Sequence, residues 1–78
     1  MSALWVDEAM EEIYRILEGT IDMHLHPAPD TFPRRVDDLE AARDARAASM
    51  RAILIKCHMA QTADRAAIAA RAVPGIKV

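Results

Sequence analysis

The chain has little of several residue types, and each shortage argues against a class of protein. A single cysteine, Cys57, rules out an internal disulfide and fits a reducing compartment. With only two glycines, the sequence has no glycine-rich phosphate-binding loop. Ten basic and twelve acidic residues give a formal charge of −2 with no run of one sign. That balance argues against a dedicated binder of nucleic acid or of anionic membranes, which needs a concentrated basic surface.

Long apolar runs are missing as well. None approaches the roughly 20 residues that span a bilayer. The N-terminal region carries acidic residues in place of the basic and apolar segments of a secretory signal. We therefore expect a cytoplasmic protein with no membrane partner. With 78 residues, 53% of them apolar and many of those alanine, the chain can build only one small domain with a thin core.

The first predicted element is a helix over residues 3–18. Gly19 is well placed to end it, because glycine readily adopts the left-handed conformation found after helix C-termini. We expect the apolar side of this helix to be buried against the rest of the domain. Its members recur every three or four positions: Val6, Met10, Ile13 and Leu17.

The remainder of the chain alternates between strands and helices. Strands are predicted over residues 20–26 and 52–57, and residues 76–78 have the composition of another strand's opening. Helices are predicted over about 37–50 and 62–73. Alternation at this spacing is typical of right-handed βαβ units in a parallel sheet, so the predicted fold class is α/β.

Polar residues mark the starts of these two helices. Asp37 and Glu40 have the spacing of a capping box, in which each side chain binds the backbone N–H of the other residue. Thr62 is placed to cap the helix predicted over residues 62–73.

The most informative stretch for chemistry is residues 21–27. Side chains two apart on a strand share a face, so Asp22, His24 and His26 are predicted to point the same way. Pro27 should stop the strand, which leaves the imidazoles at its C-terminal end, where parallel sheets carry their chemistry. Two neutral imidazoles side by side can ligate a divalent transition metal. Asp22 either orients their rings from below or is a structural carboxylate only.

A second group of candidates ends the next predicted strand. Lys56 and His58 share a face and should lie beside the first pair if the two strands are neighbours. His58 is then an additional ligand, a substrate contact, or a hydrogen-bonded loop residue. Lys56 is a charge partner for a substrate or carboxylate, or it forms an ion pair with Asp22.

The loop over residues 27–36 leaves the strand end that carries the histidines, and loops in that position commonly line active sites. Arg34 and Arg35 are candidate contacts for an anionic substrate group, and solvation is the alternative for each. Phe32 is predicted to pack back on the domain.

Residues 21–26 resemble the first-strand signature of the amidohydrolase superfamily, which comprises metal-dependent hydrolases built on a (β/α)8 barrel. Residues 54–59 and 62–66 are similar to a poorly characterised branch of it. The resemblance implies that His24 and His26 bind a catalytic divalent metal, with zinc as the first choice. It also implies a small-molecule substrate with an amide or ester bond, attacked by a water that the metal activates.

The same resemblance implies the βαβαβ N-terminal portion of a (β/α)8 TIM-type barrel, preceded by an N-terminal helix. Residues 1–19 would form that helix, and residues 20–78 would be the first strands and helices of a single incomplete domain. A full barrel needs ~250 residues, and the family's other ligands lie on later strands. We therefore expect the 78-residue chain to be a fragment that is catalytically weak or inactive when isolated. The remaining barrel or another copy of the chain would complete it.

Other interpretations stay open at this point. A related barrel family of metal-dependent phosphoesterases also begins with paired histidines, and Arg34 and Arg35 would suit a phosphate. A non-catalytic α/β module that binds metal and self-associates is a further alternative. The last is a small helical protein whose histidines are incidental.

Overall fold

The computed structural model describes the backbone of residues 3–78 and the side chains of residues 8–78. It confirms the α/β class, because the two strands pair in parallel to form one sheet. No helix in these ranges is long and apolar enough to cross a membrane. The elements in chain order are α1 (Ala3–Leu17), β1 (Ile21–Leu25), α2 (Asp38–Ala47), β2 (Ala52–Ile55) and α3 (Ala63–Ala72).

The predicted third strand is reduced to one isolated parallel bridge between Ala52 and Lys77. The Ile53 N–H donates to the Lys77 carbonyl at 2.9 Å, and the Lys77 N–H donates to the Arg51 carbonyl at 3.2 Å. The segment therefore lies along the edge of β2 opposite β1. Successive extended segments are adjacent in the sheet, as expected for βαβ units.

The two predicted helix starts differ in how they are capped. At α2 the capping box is present: the Asp37 carboxylate accepts the Glu40 N–H at 2.8 Å, and the Glu40 carboxylate accepts the Asp37 N–H at 3.1 Å. Thr62 precedes α3 as predicted, but its side chain makes no capping bond. Its backbone is helical (φ −108°, ψ −4°), whereas capping side chains normally sit on an extended residue. The prediction of a side-chain cap at Thr62 was therefore wrong.

The hydrophobic core lies between one face of the sheet and the helices α2 and α3. Alanines on α2 let the helix backbone approach the strands closely, so the β-branched residues of β2 are buried beneath it. The buried cluster consists of Ala41, Ala42, Ala45, Ile53, Ile55, Val73 and Ile76.

The helix α1 is not part of this core. Met10 is 41% exposed and Ile13 is 48% exposed, so the predicted burial of this apolar side is wrong for both residues. The side chain of Val6, predicted on the same side, lies outside the described residues. A sheet of two short strands offers room for a single helical layer, and α2 and α3 already occupy it. Gly19, with φ +74°, ends the helix as predicted.

Candidate metal centre

A β-bulge in β1 sets the orientation of the first-strand site residues. The register shifts between the second and third of three aligned pairs: Ile21 with Ala52, Asp22 with Ile53, and Leu25 with Ile55. One extra residue in β1 reverses the alternation of side chains there. Asp22 therefore lines the groove beside α1 and α2, while His24 and His26 line a pocket at the other face.

The prediction that Asp22 shares a face with His24 and His26 was wrong for this reason. The Asp22 carboxylate accepts the backbone N–H of His24 at 3.0 Å. Asp22 makes no hydrogen bond to an imidazole ring within the described part of the chain. It supports the bulge instead of lying beneath the rings.

All three histidines of the chain converge at the C-terminal ends of the two strands. The Nε2 atoms of His24 and His26 are 3.0 Å apart. The ring of His58 stacks on that of His26, with centroids 4.7 Å apart and an angle of 11° between the planes. The predicted proximity of His58 to the first-strand histidines is confirmed for His26, so residues that follow two neighbouring strands meet at this end of the sheet.

A buried carboxylate, Asp30, lies beneath two of these rings. Its Oδ2 is 3.2 Å from the Nδ1 of His58 and 3.6 Å from the Nδ1 of His26, and its side chain is 0% exposed. Its Oδ1 accepts the backbone N–H groups of Thr31 at 2.7 Å and His58 at 3.2 Å. Arg34 donates to Oδ2 from Nε at 3.2 Å and from a terminal nitrogen at 2.9 Å.

Asp30 was not among the predicted site residues. Its contact with His58 spans 28 positions along the chain, so local spacing does not reveal it. The available signal was an acidic residue four positions after His26, in the loop that leaves the histidine-bearing strand.

The pKa values of the cluster follow from these contacts. Burial raises the pKa of Asp30, but the N–H donors from Thr31, Arg34 and His58 outweigh it and hold that pKa well below its usual range. Burial lowers the pKa of His26, as do the neighbouring His58, Arg34 and His24; Asp30 offsets only part of this. At neutral pH Asp30 is therefore an anion and His26 is neutral, which is the form of imidazole that ligates metals.

The loop that carries Asp30 is held at both ends. The Ala28 N–H donates to the Val36 carbonyl at 2.8 Å, and the Asp38 N–H donates to the Ala28 carbonyl at 3.2 Å. Arg65 of α3 donates to the Asp38 carboxylate at 2.8 and 2.9 Å and to the Pro27 carbonyl at 3.4 Å. Asp30 is therefore placed by the fold and not by a free surface loop.

The other predicted site residues have varied surroundings. Lys56 is exposed and lines the histidine pocket, without an ion-pair partner among the described side chains. Arg34 is engaged by Asp30 and lies 5.8 Å from the ring centroid of Phe32, whereas Arg35 is exposed. Phe32 is 59% exposed with its ring edge-on to His58, so it flanks the imidazoles and the prediction that it packs back on the domain was wrong.

Two different groups of side chains in this cluster have atoms that can ligate a metal ion. One consists of His26, Asp30 and His58, whose ligand atoms all lie within 4.8 Å of one another. An ion there would have to displace Arg34 from a carboxylate that solvent does not reach.

The other donor set would use the Nε2 atoms of His24, His26 and His58, and it leaves Arg34 in place. Only the first two of these atoms lie at ligand spacing, and the ring of His58, stacked on that of His26 with centroids 4.7 Å apart, would have to tilt toward them. His24, His26 and His58 all line the open pocket. The 3.0 Å between the first two Nε2 atoms is close to the ~3.3 Å expected across a tetrahedral zinc with Zn–N distances near 2.0 Å.

Comparison with known protein families identifies the family of this chain. The family described as "Family of unknown function (DUF6282)" matches residues 19–78, a stretch that contains the three histidines and Asp30. No curated protein and no solved structure matches the chain. The matched stretch covers well over half of the sequence, and the chain belongs to the DUF6282 family.

Proposed function

We propose that this chain carries the first part of a metal-dependent hydrolase centre, with His24, His26 and His58 as ligands through Nε2 and zinc as the metal. The convergence of all three histidines on one pocket is the observation that carries the proposal. Three imidazoles match the three protein ligands typical of catalytic zinc sites. Zinc bound there would supply a Lewis acid and a water with a pKa near ~7.

The position of the pocket supports catalysis over a purely structural metal site. It opens at the C-terminal ends of adjacent parallel strands, as active sites of α/β proteins do. The order β1, β2, then the Lys77 segment is also the order that a (β/α)8 barrel requires. These features and the first-strand resemblance favour an N-terminal barrel portion as the finer description of the fold.

The remaining polar side chains favour an amide or ester over a phosphoester substrate. Arg34, one of two candidates for a phosphate contact, is neutralised by Asp30. Lys56 is the cation that lines the pocket, where it can contact a substrate carboxylate or carbonyl oxygen. A phosphoesterase would instead need Arg35 to turn toward the pocket.

The metal site is tested by calorimetric titration of the chain with Zn²⁺, next to His24→Ala/His26→Ala. We expect one tightly bound zinc in the unsubstituted protein and no measurable binding in the double variant. Cys57→Ala is the matched control, because Cys57 lines the same pocket and is itself a zinc-ligating residue type. Undiminished binding by the double variant, or loss of binding in the Cys57 variant, would refute this ligand set.

Catalysis is tested separately with the zinc-loaded chain and a panel of amide, ester and phosphoester substrates. We expect at most slow hydrolysis of amides or esters, abolished in the double variant, because three imidazoles and one lysine supply few groups for proton transfer. Tight zinc binding by an oligomer that hydrolyses no member of the panel would favour a non-catalytic metal-binding module.

A further inference from the structure

We infer that Asp30 is the positioning residue of this centre: it fixes the Nδ1–H tautomer of both His26 and His58, so that both rings present a free Nε2 to the pocket. The inference deepens the proposed function and rests on it for the role of the metal. The tautomers themselves are a property of the metal-free protein.

The contact with His58 is the stronger of the two. A carboxylate can only accept hydrogen bonds, so the 3.2 Å contact between Oδ2 of the buried Asp30 and Nδ1 of His58 is favourable only if that nitrogen carries an N–H. Arg34 competes, because its terminal nitrogen lies 3.4 Å from the same Nδ1 and would require a lone pair there. The shorter contact and the full negative charge of Asp30 favour the N–H.

The tautomer of His26 is inferred from the burial of its Nδ1 atom. Its Nδ1 is buried and has no hydrogen-bond partner within the described residues, and the Asp30 Oδ2 lies 3.6 Å away. A lone pair at this nitrogen would face the lone pairs of an anion without any compensating donor. An N–H there points toward the carboxylate, and a small shift of the ring closes the bond. The Nδ1–H tautomer of His26 is therefore the favoured one.

The tautomer of His26 determines which ring nitrogen of His24 carries the proton. If the His26 Nε2 carries a lone pair, the His24 Nε2 at 3.0 Å must donate to it. His24 should thus hold the opposite tautomer, Nε2–H, in the metal-free protein. Metal binding then requires its proton to move to Nδ1 through solvent, while His26 and His58 already have their ligand tautomer.

The experiment is ¹H–¹⁵N long-range NMR of the ring nitrogens in the metal-free chain, recorded in alkaline buffer so that the imidazoles are neutral. With only three histidines, every ring signal reports on this cluster. We expect Nδ1–H at His26 and His58 and Nε2–H at His24. Nε2–H as the major tautomer of His26 or His58 would overturn the inference, and this measurement requires no variant.

A pair of variants then tests the cause. Asp30→Asn can donate where the carboxylate only accepts, so we expect its Nδ1–H populations to fall and its zinc affinity to drop about 10–100-fold. Asp64→Asn is the matched control: Asp64 is an exposed carboxylate in the first turn of α3, outside the lining of the histidine pocket, so both readouts should stay unchanged. Unchanged tautomers in a folded Asp30→Asn variant would overturn the positioning role. Failure of zinc binding with the expected tautomers would refute the proposed function alone.

Discussion

One face of the two-stranded sheet packs in the hydrophobic core, and the other face carries the histidine pocket. On the covered face, Ile53 and Ile55 are 3% and 2% exposed beneath α2 and α3. On the open face, Leu54 is 43% exposed, and the imidazoles line a pocket beside it. The same four-residue strand serves both faces because its side chains alternate. Core-facing and pocket-facing side chains are therefore adjacent in the sequence of β2.

The bulge in β1 changes which side chains face the pocket, compared with a regular strand. Regular alternation would place Asp22 on the same face as His24 and His26. The shifted register turns Asp22 toward the helices, and Asp30 from the following loop takes the position beneath the rings. Bulges next to active sites commonly redirect side chains in this way.

The largest expected effect tests the covered face. Ile55→Ala removes a β-branched side chain from the centre of the core and should lower the free energy of unfolding by about 2–5 kcal/mol. Leu54→Ala, one position away on the open face, should change it by less than about 0.5 kcal/mol. Chemical denaturation of both variants measures the difference. Equal losses would contradict the assignment of the two faces.

The second prediction concerns the open face. His58→Ala should weaken zinc binding at least about 10-fold, equivalent to about 1.4 kcal/mol, because it removes one of three imidazole ligands. It should also lower the free energy of unfolding by about 1 kcal/mol, because the buried Asp30 carboxylate loses a hydrogen-bond donor. Lys56→Ala is the control: it removes a cation from the same pocket and should leave the affinity unchanged or slightly higher. Equal affinity for His58→Ala and the unsubstituted chain would remove His58 from the ligand set.

The smallest expected effect on stability comes from the N-terminal caps of α2 and α3, the helices that cover the core. Asp37→Ala removes an observed capping box and should cost about 1 kcal/mol of stability. Thr62→Ala should cost close to nothing, because Thr62 makes no side-chain capping bond. Thermal unfolding of the two variants, measured side by side, checks this. A larger loss at Thr62 than at Asp37 would contradict the observed capping.

The sequence was a good guide where the determining interactions are local. The helix limits, to within three residues, and the capping box at Asp37 follow from spacings of a few residues. The parallel pairing follows from the alternation of strands and helices along the chain. The proximity of His58 to His26 also followed, because consecutive βαβ strands are usually neighbours.

Features set by tertiary contacts could not be predicted in this way. The bulge depends on how β1 and β2 align, and the role of Asp30 depends on His58, which is 28 positions away. The exposure of Met10 and Ile13 depends on the sheet area left after α2 and α3 have packed.

The proposed metal site requires three imidazoles to bind one ion through Nε2. The most direct measurement is the ¹⁵N spectrum of the histidine rings during a zinc titration of the unsubstituted chain. We expect the Nε2 signals of His24, His26 and His58 all to move to the metal-bound position and to stop changing at one equivalent of zinc. A zinc-induced change at Nδ1 of His26 or His58, or no change at any ring, would contradict it.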